Sequence, residues 1–279
     1  MMPITDNHMH IDLQGLGIMA VEQFQRAGGT HIFLVSKTTQ SFGIEVASPD
    51  DFKSAFEHTV KIADVINEQT EVTAFPVLGI HPAELTRLTK RFELNRAKAL
   101  ICRGLDIAID FVKEGRAIAI KTGRPHYEVS DAEWRASNEI MFYGMKLASE
   151  AGCAVQLHTE STTPDSLAEI SKMANRAGLA LDRIVKHYSA PMIPEYQNVG
   201  IFPSILASED TLDVALSQGN RFMMETDYID DPDRPGVVLG PKTVPRRTKQ
   251  FIKKGIDEDV FWTVHKDHPE KVYGVKINI

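Results

Sequence analysis

Cysteine is scarce in this sequence. The 279 residues include only two cysteines, Cys102 and Cys153, which lie far apart along the chain. A small secreted fold held together by disulfides is therefore excluded, and a reducing cytoplasm is the expected location. The polar, histidine-rich segment that starts at Ile4 also follows the first residues too closely for a signal peptide to be expected.

Long apolar runs and excess positive charge are missing as well. No run approaches the roughly 18 apolar residues of a membrane span, so we expect no membrane partner. The formal net charge of −7 disfavours a protein that coats nucleic acid non-specifically, although it leaves room for a local basic cleft. Hydrophobic residues make up 43% and charged residues 25%, which is typical of a globular chain, and we expect one domain over residues 1–279.

Strand-like and helix-like segments alternate along the whole sequence. Eight apolar, β-branched strands, most of them followed by an amphipathic helix, predict an α/β fold, a single (β/α)₈ TIM barrel. A doubly wound open sheet is the structural alternative. The predicted strands are Ile4–Asp12, His31–Val35, Val72–Ile80, Arg116–Thr122, Cys153–Thr159, Ile184–Tyr188, Val199–Ser204 and Arg221–Thr226.

The first strand contains the pair His8 and His10. Residues two apart in a strand point to the same face, so both imidazoles leave one side of the strand together. Two neutral imidazoles placed in this way are suitable ligands for a metal such as Zn²⁺. The alternative for the pair considered alone is a polar surface strand.

Other predicted strands also end in polar or ionisable residues. A barrel carries its catalytic groups at the carboxyl ends of its strands, so these side chains are expected to meet. His8, His10 and Asp227 could hold one metal ion, while His158 and His187 could hold a second with Lys121 between them. Two such metals can polarise a substrate and activate water. The full set of strand-end residues is His8, His10, His81, Lys121, His158, His187 and Asp227.

The order and spacing of these motifs resemble those of the amidohydrolase superfamily, and most closely the TatD-related metal-dependent hydrolases. The resemblance covers almost the whole chain and implies a divalent metal cofactor, one or two ions, with zinc favoured over magnesium, manganese, cobalt or nickel. It implies that Asp227 also handles the proton of the attacking water. The motifs are Asp6-Asn7-His8-Met9-His10, Gly79-Ile80-His81-Pro82, His158-Thr159-Glu160, Lys186-His187-Tyr188 and Glu225-Thr226-Asp227, and the implied metal ligands are His8, His10, His158, His187 and Asp227.

One position departs from the TatD-like pattern. Relatives of that type place a bridging glutamate at the end of the fourth strand, where this chain has Lys121. Phosphotriesterase-like members of the superfamily use a lysine there, which CO₂ converts to a carbamate that bridges two metals. A free ammonium has no lone pair to offer a metal. The resemblance therefore leaves two alternatives, a carboxylated Lys121 that bridges two ions, or an unmodified Lys121 beside one ion or none.

Further polar residues near the strand ends are candidates for substrate contacts. The two arginines could clamp a phosphate or a carboxylate through paired hydrogen bonds, the alternative for each being a loop salt bridge or a solvated charge. Four other histidines, at positions 31, 58, 265 and 268, are left out because they lie at the opposite strand end or on or beside helices. The candidate substrate contacts are His81, Arg124, His126, Tyr188 and Arg234.

The pattern predicts a hydrolase that uses metal-activated water. The TatD resemblance favours a phosphoester substrate, either a small molecule or a single-stranded nucleic-acid end. Lys121 favours a lactone or an amide instead, and the ligands alone do not choose between these substrates. A metal-binding barrel without catalytic activity is the alternative from a different functional class. The sequence does not give the oligomeric state.

Overall fold

The computed structural model describes residues 2–231 and 238–278 of the chain. Nine parallel strands form one curled sheet, surrounded by helices. The strands are β1 (Thr5–His10), β2 (His31–Val35), β3 (Thr73–Gly79), β4 (Ala119–Gly123), β5 (Ala154–His158), β6 (Ile184–Ser189), β7 (Phe202–Leu206), β8 (Met223–Glu225) and β9 (Tyr228–Ile229).

The ends of the sheet are neighbours in the chain. Strand β8 pairs with β7, β9 pairs with β1, and only Thr226 and Asp227 lie between β8 and β9. The eighth strand is therefore shorter than predicted, and it is followed by β9, which was not predicted and pairs at the opposite end of the sheet. The expected TIM-barrel-like α/β fold is confirmed, and the alternative of a doubly wound open sheet is wrong, because β1 to β8 are neighbours in chain order.

A buried carboxylate holds this closure together. Oδ1 of Asp6 accepts hydrogen bonds from the backbone amides of His8 and Thr226, each at 3.1 Å, and Oδ2 accepts one from the Thr226 hydroxyl at 2.6 Å. Asp6 is fully buried, and burial raises its pKa to about 7 despite these bonds. The side chain connects β1 to the junction of β8 and β9, which we call the seam.

Residues on the inner face of the strands change from apolar to polar along the chain direction. Ala119 precedes Lys121, Val185 precedes His187 and Met223 precedes Glu225, and each pair shares a face because its members are two residues apart. The apolar members pack into one buried cluster with Phe33, Val77, Ala154, Phe202, Val272 and Tyr273. The barrel is therefore filled by apolar side chains at one end and by polar ones at its carboxyl end.

The helices begin and end where capping residues direct. Ser130 and Thr163 cap helices that end at glycines in the left-handed conformation, Gly152 with φ 70° and Gly178 with φ 73°. These two helices and the first one have the predicted bounds. The helices are α1 (Ile18–Ala27), α2 (Pro49–Gln69), α3 (Ala83–Leu88), α4 (Leu94–Lys113), α5 (Asp131–Ala151), α6 (Pro164–Ala177), α7 (Glu195–Asn198), α8 (Glu209–Gln218), α9 (Thr243–Lys253), α10 (Glu258–Trp262) and α11 (His268–Tyr273).

Three helical regions differ from the prediction. The helical region expected over Glu84–Lys113 is two helices, α3 and α4, and α7 and α8 were not predicted. The last predicted helix continues beyond Lys266 through a π-helical turn, Thr263–Asp267, into α11. Within the described residues, no helix is both long and apolar enough to cross a membrane.

Replacing Asp6 by alanine should destabilise the protein even without metal. The substitution leaves buried amide and hydroxyl donors without an acceptor, and each such donor costs about 1–3 kcal/mol. We expect the free energy of unfolding to fall by about 2–4 kcal/mol in urea titrations with a chelator present. Asp64→Ala, at an exposed position of α2, should change it by less than about 0.5 kcal/mol. Equal effects of the two substitutions would contradict the role of Asp6 in the seam.

Candidate metal centre and cleft

Four of the predicted metal ligands converge at the carboxyl end of the barrel. The Nε2 atoms of His8 and His10 are 3.2 Å apart, and Oδ1 of Asp227 lies 3.9 Å from each. Nε2 of His187 lies 3.8 Å from the same oxygen. Among the described residues, two groups have potential ligand atoms that all lie within 4.8 Å of one another: His8, His10 and Asp227, and His8, His187 and Glu225.

The outer ring nitrogens of the strand β1 histidines face oxygen acceptors. Nδ1 of His8 is 2.7 Å from Oε1 of Gln156, and Nδ1 of His10 is 2.8 Å from the carbonyl oxygen of Val35. An imidazole that donates from Nδ1 carries a lone pair on Nε2. The Nε2 atoms of His8 and His10 are 3.2 Å apart, and two lone pairs that face each other at this distance repel. A cation bound by both nitrogens removes the repulsion. The donor set therefore fits a metal ion.

His187 faces a buried carboxyl group. Its Nδ1 lies 2.7 Å from Oε1 of Glu225, and the same oxygen accepts a hydrogen bond from the backbone amide of Tyr188 at 2.8 Å. The Ser204 hydroxyl donates to Oε2 of Glu225. Burial raises the pKa of Glu225 to about 8. The motif Glu225-Thr226-Asp227 contains this residue, but the sequence does not predict a role for Glu225 in the site. Its role depends on contacts with His187, Tyr188 and Ser204, which only the fold brings together.

Burial sets the protonation of this cluster. It lowers the pKa of His8 and His10 well below the usual value and that of His187 to about 3, so all three rings are neutral near pH 7. Neutral imidazole is the form that binds metal. Burial also lowers the pKa of Lys121 to about 8 and raises that of Asp227. The Lys121 amine lies 3.3 Å from Nε2 of His8.

His158 lies beside this cluster with two other rings. Its Nε2 is 2.9 Å from Nδ1 of His126, and its ring centroid is 4.2 Å from that of His81 and 5.6 Å from that of His187. Gly123 lies next to it in β4, where an added Cβ would be 1.8 Å from the His158 carbonyl oxygen. Among the described residues His158 belongs to neither three-residue ligand group, so its pairing with His187 on a second metal stays a prediction.

The backbone is left-handed at Tyr188 in β6 and at Asp227 directly after Thr226. Asp227 has φ 47° and Tyr188, directly after His187, has φ 51°. The left-handed region is uncommon for residues other than glycine and is frequent at functional sites, where surrounding contacts hold it. At Asp227 the seam supplies those contacts through the neighbouring Thr226.

The converging side chains lie between two parts of one cleft. A large lobe of about 550 Å³ contains the predicted contacts His126 and Tyr188, and a small lobe of about 210 Å³ contains His81 and Lys121. His158, His187 and Asp227 line both lobes. The large lobe is otherwise lined by Thr159, Glu160, Ser161, Thr162, Ser189, Ala190, Pro191, Leu206 and Thr211, and the small lobe by His10, Ser36, Lys37, Thr38, Ser41, Arg87, Ile229 and Asp231.

Of the two arginines predicted to clamp the substrate, Arg124 does not line the cleft. Arg124 is buried and donates to both oxygens of Glu160, to Glu169 at 2.9 Å and to Asn138 at 2.8 Å, with its guanidinium over the Trp134 ring. Of the two alternatives for Arg124, the structure has the internal salt bridge. Arg234 lies outside the described residues.

A second layer of buried polar groups supports the His8 side chain. The Gln156 amide nitrogen donates to the Asn7 carbonyl oxygen at 2.9 Å and to the Tyr273 hydroxyl at 2.8 Å. That hydroxyl donates to the Asn7 side-chain oxygen at 2.9 Å, and the Asn7 amide donates to Ser204 at 2.9 Å. These contacts hold the Gln156 oxygen toward His8. The sequence offered a weak signal at most, since Gln156 is a polar residue two before His158 in an apolar strand.

Comparison with known proteins agrees with the family suggested by the motifs. The family model described as TatD related DNase matches residues 5–274. The uncharacterized protein MJ1127 of Methanocaldococcus jannaschii is 42% identical over 283 residues, which cover 100% of this chain and 98% of that protein.

Solved structures share the fold. The TatD homologue YJJV of Escherichia coli superposes with a TM-score of 0.65 at 15% identity and 98% coverage of both chains. A mutant of a PTE-like lactonase from Deinococcus radiodurans superposes with a TM-score of 0.58 at 13% identity, covering 97% of this chain and 95% of its own. At these identities the likeness concerns the fold alone.

Replacing Tyr273 by phenylalanine should weaken metal binding. Without the hydroxyl, Gln156 loses an acceptor and its amide is free to turn its nitrogen toward His8, which favours the wrong imidazole tautomer. Groups that orient metal ligands contribute about 10–100-fold to affinity, and we expect a loss of about tenfold. Competition with a chromophoric chelator measures it. Tyr196→Phe, at a residue 82% exposed, is the matched control, and equal affinity of both variants would contradict this role.

Proposed function

The chain belongs to the TatD related DNase family of metal-dependent hydrolases, and from this premise we propose that it cleaves phosphoester bonds in the cleft between the two lobes. The observation that carries the proposal is the convergence of three neutral imidazoles and the Asp227 carboxylate, with distances of 3.8–3.9 Å from Oδ1 of Asp227 to the ring nitrogens. Small phosphoesters and single-stranded nucleic-acid ends are the proposed substrates.

The residues that would hold the metal are those of the converging cluster. His8, His10 and Asp227 suit one divalent ion, and His187 with His158 would contribute to a second. A bound divalent metal supplies a Lewis acid and lowers the pKa of water. We propose zinc as the resident ion, because imidazole and carboxylate ligands suit it. A centre of two ions and a cytoplasmic location belong to the same proposal.

Asp227 is the proposed general base. Its carboxylate lines both lobes, so it reaches a water molecule wherever the scissile bond lies between them. Burial raises the pKa of Asp227, which makes the carboxylate a better proton acceptor than an exposed aspartate. His81, His126 and Tyr188 line the cleft around it and are proposed to contact the substrate.

Lys121 is proposed to be carboxylated. Its amine is buried beside His8, and burial lowers its pKa to about 8, which increases the fraction of neutral amine. The neutral nitrogen attacks CO₂ and releases one proton, giving a carbamate with two oxygens for metal ligation. The alternative is an unmodified Lys121 whose ammonium stays near Asp227 and Glu225, with at most one metal at the centre.

Two other functions follow from particular observations. Lactone or amide hydrolysis is favoured by Lys121, and the large lobe, lined mainly by hydroxyl and apolar groups, suits an uncharged substrate. A metal-binding barrel without turnover follows if Lys121 is unmodified and the second ion is not held. A panel of phosphoester, lactone and amide substrates, assayed with measured metal content, separates all three.

Asp227→Asn should cost more rate than metal. An amide can coordinate weakly but cannot accept a proton at neutral pH, and positioned general base catalysis contributes about 10²–10⁴-fold. We expect kcat on the best substrate of the panel to fall by about this factor at equal metal occupancy. Asp64→Asn should leave kcat unchanged. An Asp227→Asn rate within twofold of the parent would refute the role of general base.

Substitutions of Lys121 distinguish its two states. If the carbamate forms, Lys121→Glu should keep a bridging carboxylate and most of the metal, while Lys121→Met should lose the bridge and the activity. Bicarbonate should assist reconstitution of the apo parent but not of the glutamate variant. Metal content and the mass of the intact protein under native conditions are the measurements. A bare amine with fewer than two metals, and no response to bicarbonate, would contradict carboxylation.

A further inference from the structure

The two lobes of the cleft differ in charge. The small lobe is lined by Lys37, Arg87 and Lys121, whereas no lysine or arginine occurs among the described residues that line the large lobe. The acidic residues are Glu160 in the large lobe, which is paired with Arg124, Asp231 in the small lobe, and Asp227, which lines both. Among the described lining residues, lysine and arginine therefore occur on one side of the metal centre.

Two of these three basic residues already have defined partners. The Lys37 amine lies 2.7 Å from Oδ2 of Asp12 and donates to the Asp230 carbonyl oxygen at 3.0 Å. Lys121 lies beside His8 in the proposed metal centre. Lys37 therefore stabilises the loop after β1, and Lys121 belongs to the proposed metal centre. Neither residue is the best placed to bind an anionic group of the substrate.

Arg87 differs from both. Its Nη1 is buried and has no hydrogen-bond partner. Nη1 forms an ion pair with Oε1 of Glu84 at 3.6 Å, beyond hydrogen-bond distance, and that oxygen already accepts bonds from the amide and hydroxyl of Thr39 at 2.8 and 2.9 Å. Buried donors are nearly always paired, and an unpaired one in a native protein calls for a ligand or a water. The charge of Arg87 also reaches His81, whose pKa it helps to lower.

The size and lining of the small lobe suit a single oxyanion. Its volume of about 210 Å³ equals about seven water volumes at about 30 Å³ each, which admits one phosphate or carboxylate group but no run of nucleotides. Hydroxyl groups of Thr38 and Ser41 line the same space and lie 3.0 Å apart, so one of the two can donate to the other while the second donates to an anion. The Ser36 hydroxyl donates to the Gly79 carbonyl oxygen at 2.9 Å. An arginine supplies two parallel donors to such a group.

We propose that the small lobe holds a terminal oxyanion of the substrate, with Arg87 as the residue that binds it, while the uncharged remainder lies in the large lobe. This inference rests on the proposed hydrolase function. It restricts the substrate to molecules or chain ends whose anionic group lies next to the scissile bond. An internal phosphodiester of a long nucleic acid does not meet this condition.

The test compares Arg87→Gln with Lys90→Gln in the metal-loaded protein. Lys90 is exposed, carries the same charge and does not line the lobe. Kinetics are measured on p-nitrophenyl phosphate and on the neutral ester p-nitrophenyl acetate, with inorganic phosphate and acetate as inhibitors. A hydrogen bond to a charged group is worth enough to change affinity by about tenfold or more. Arg87→Gln should raise KM for the phosphate ester by this factor and leave kcat and the neutral ester within twofold.

Inhibition by phosphate and by acetate identifies the type of oxyanion that the small lobe binds. Loss of phosphate inhibition in Arg87→Gln, with acetate inhibition unchanged, assigns a phosphate, and the reverse assigns a carboxylate. If KM and the inhibition by both anions are unchanged in Arg87→Gln, the assignment of Arg87 is overturned. Turnover by the parent protein would still support the proposed hydrolase function in that case. If the parent turns over no substrate, the hydrolase proposal fails. Calorimetric titration of parent and Arg87→Gln with phosphate and acetate then tests whether the small lobe binds an oxyanion. If the parent and the variant bind each anion with equal affinity, the assignment of Arg87 is rejected.

Discussion

The buried carboxylate of Asp6 is the interaction on which the site depends. It accepts hydrogen bonds from the strand that contributes His8 and His10 and from Thr226, the residue before Asp227. The first and last strands of a barrel contribute adjacent side chains only where the sheet closes. In this protein the closure consists of short strands of three and two residues, so a side chain supplies the order that a longer ladder would otherwise provide.

Each converging imidazole faces an oxygen atom from a different strand. Gln156 of β5 faces His8, the carbonyl oxygen of Val35 at the end of β2 faces His10, and Glu225 of β8 faces His187. Because burial keeps the rings neutral, these oxygen atoms decide which nitrogen is left for a metal. The candidate metal centre is therefore a property of the whole barrel rather than of the His8–His10 pair.

Local signals in the sequence predicted much of the fold and the cluster. Helices α5 and α6 have the expected bounds because their caps are encoded by adjacent residues, and His8 and His187 lie at strand ends as expected. The sequence signals failed where contacts between residues far apart in the chain determine the position of a side chain. Arg124 follows a strand end like a ligand, yet Glu160 and Glu169 from other elements hold it. Arg87 lies on a short helix with no motif, and only the fold shows that it faces the cleft.

The hydrogen bond between Tyr273 and Asn7 joins residues 266 positions apart. No part of the chain can complete the support of His8 until every strand between them has been synthesised and has taken its place in the sheet. Closing so long a loop is slow, and it carries an entropic cost that local contacts do not repay. A partly folded chain would therefore present its histidines without the contacts that fix their tautomers. We expect metal binding at the candidate centre to come late in folding, so that stable uptake of an ion would report a closed barrel.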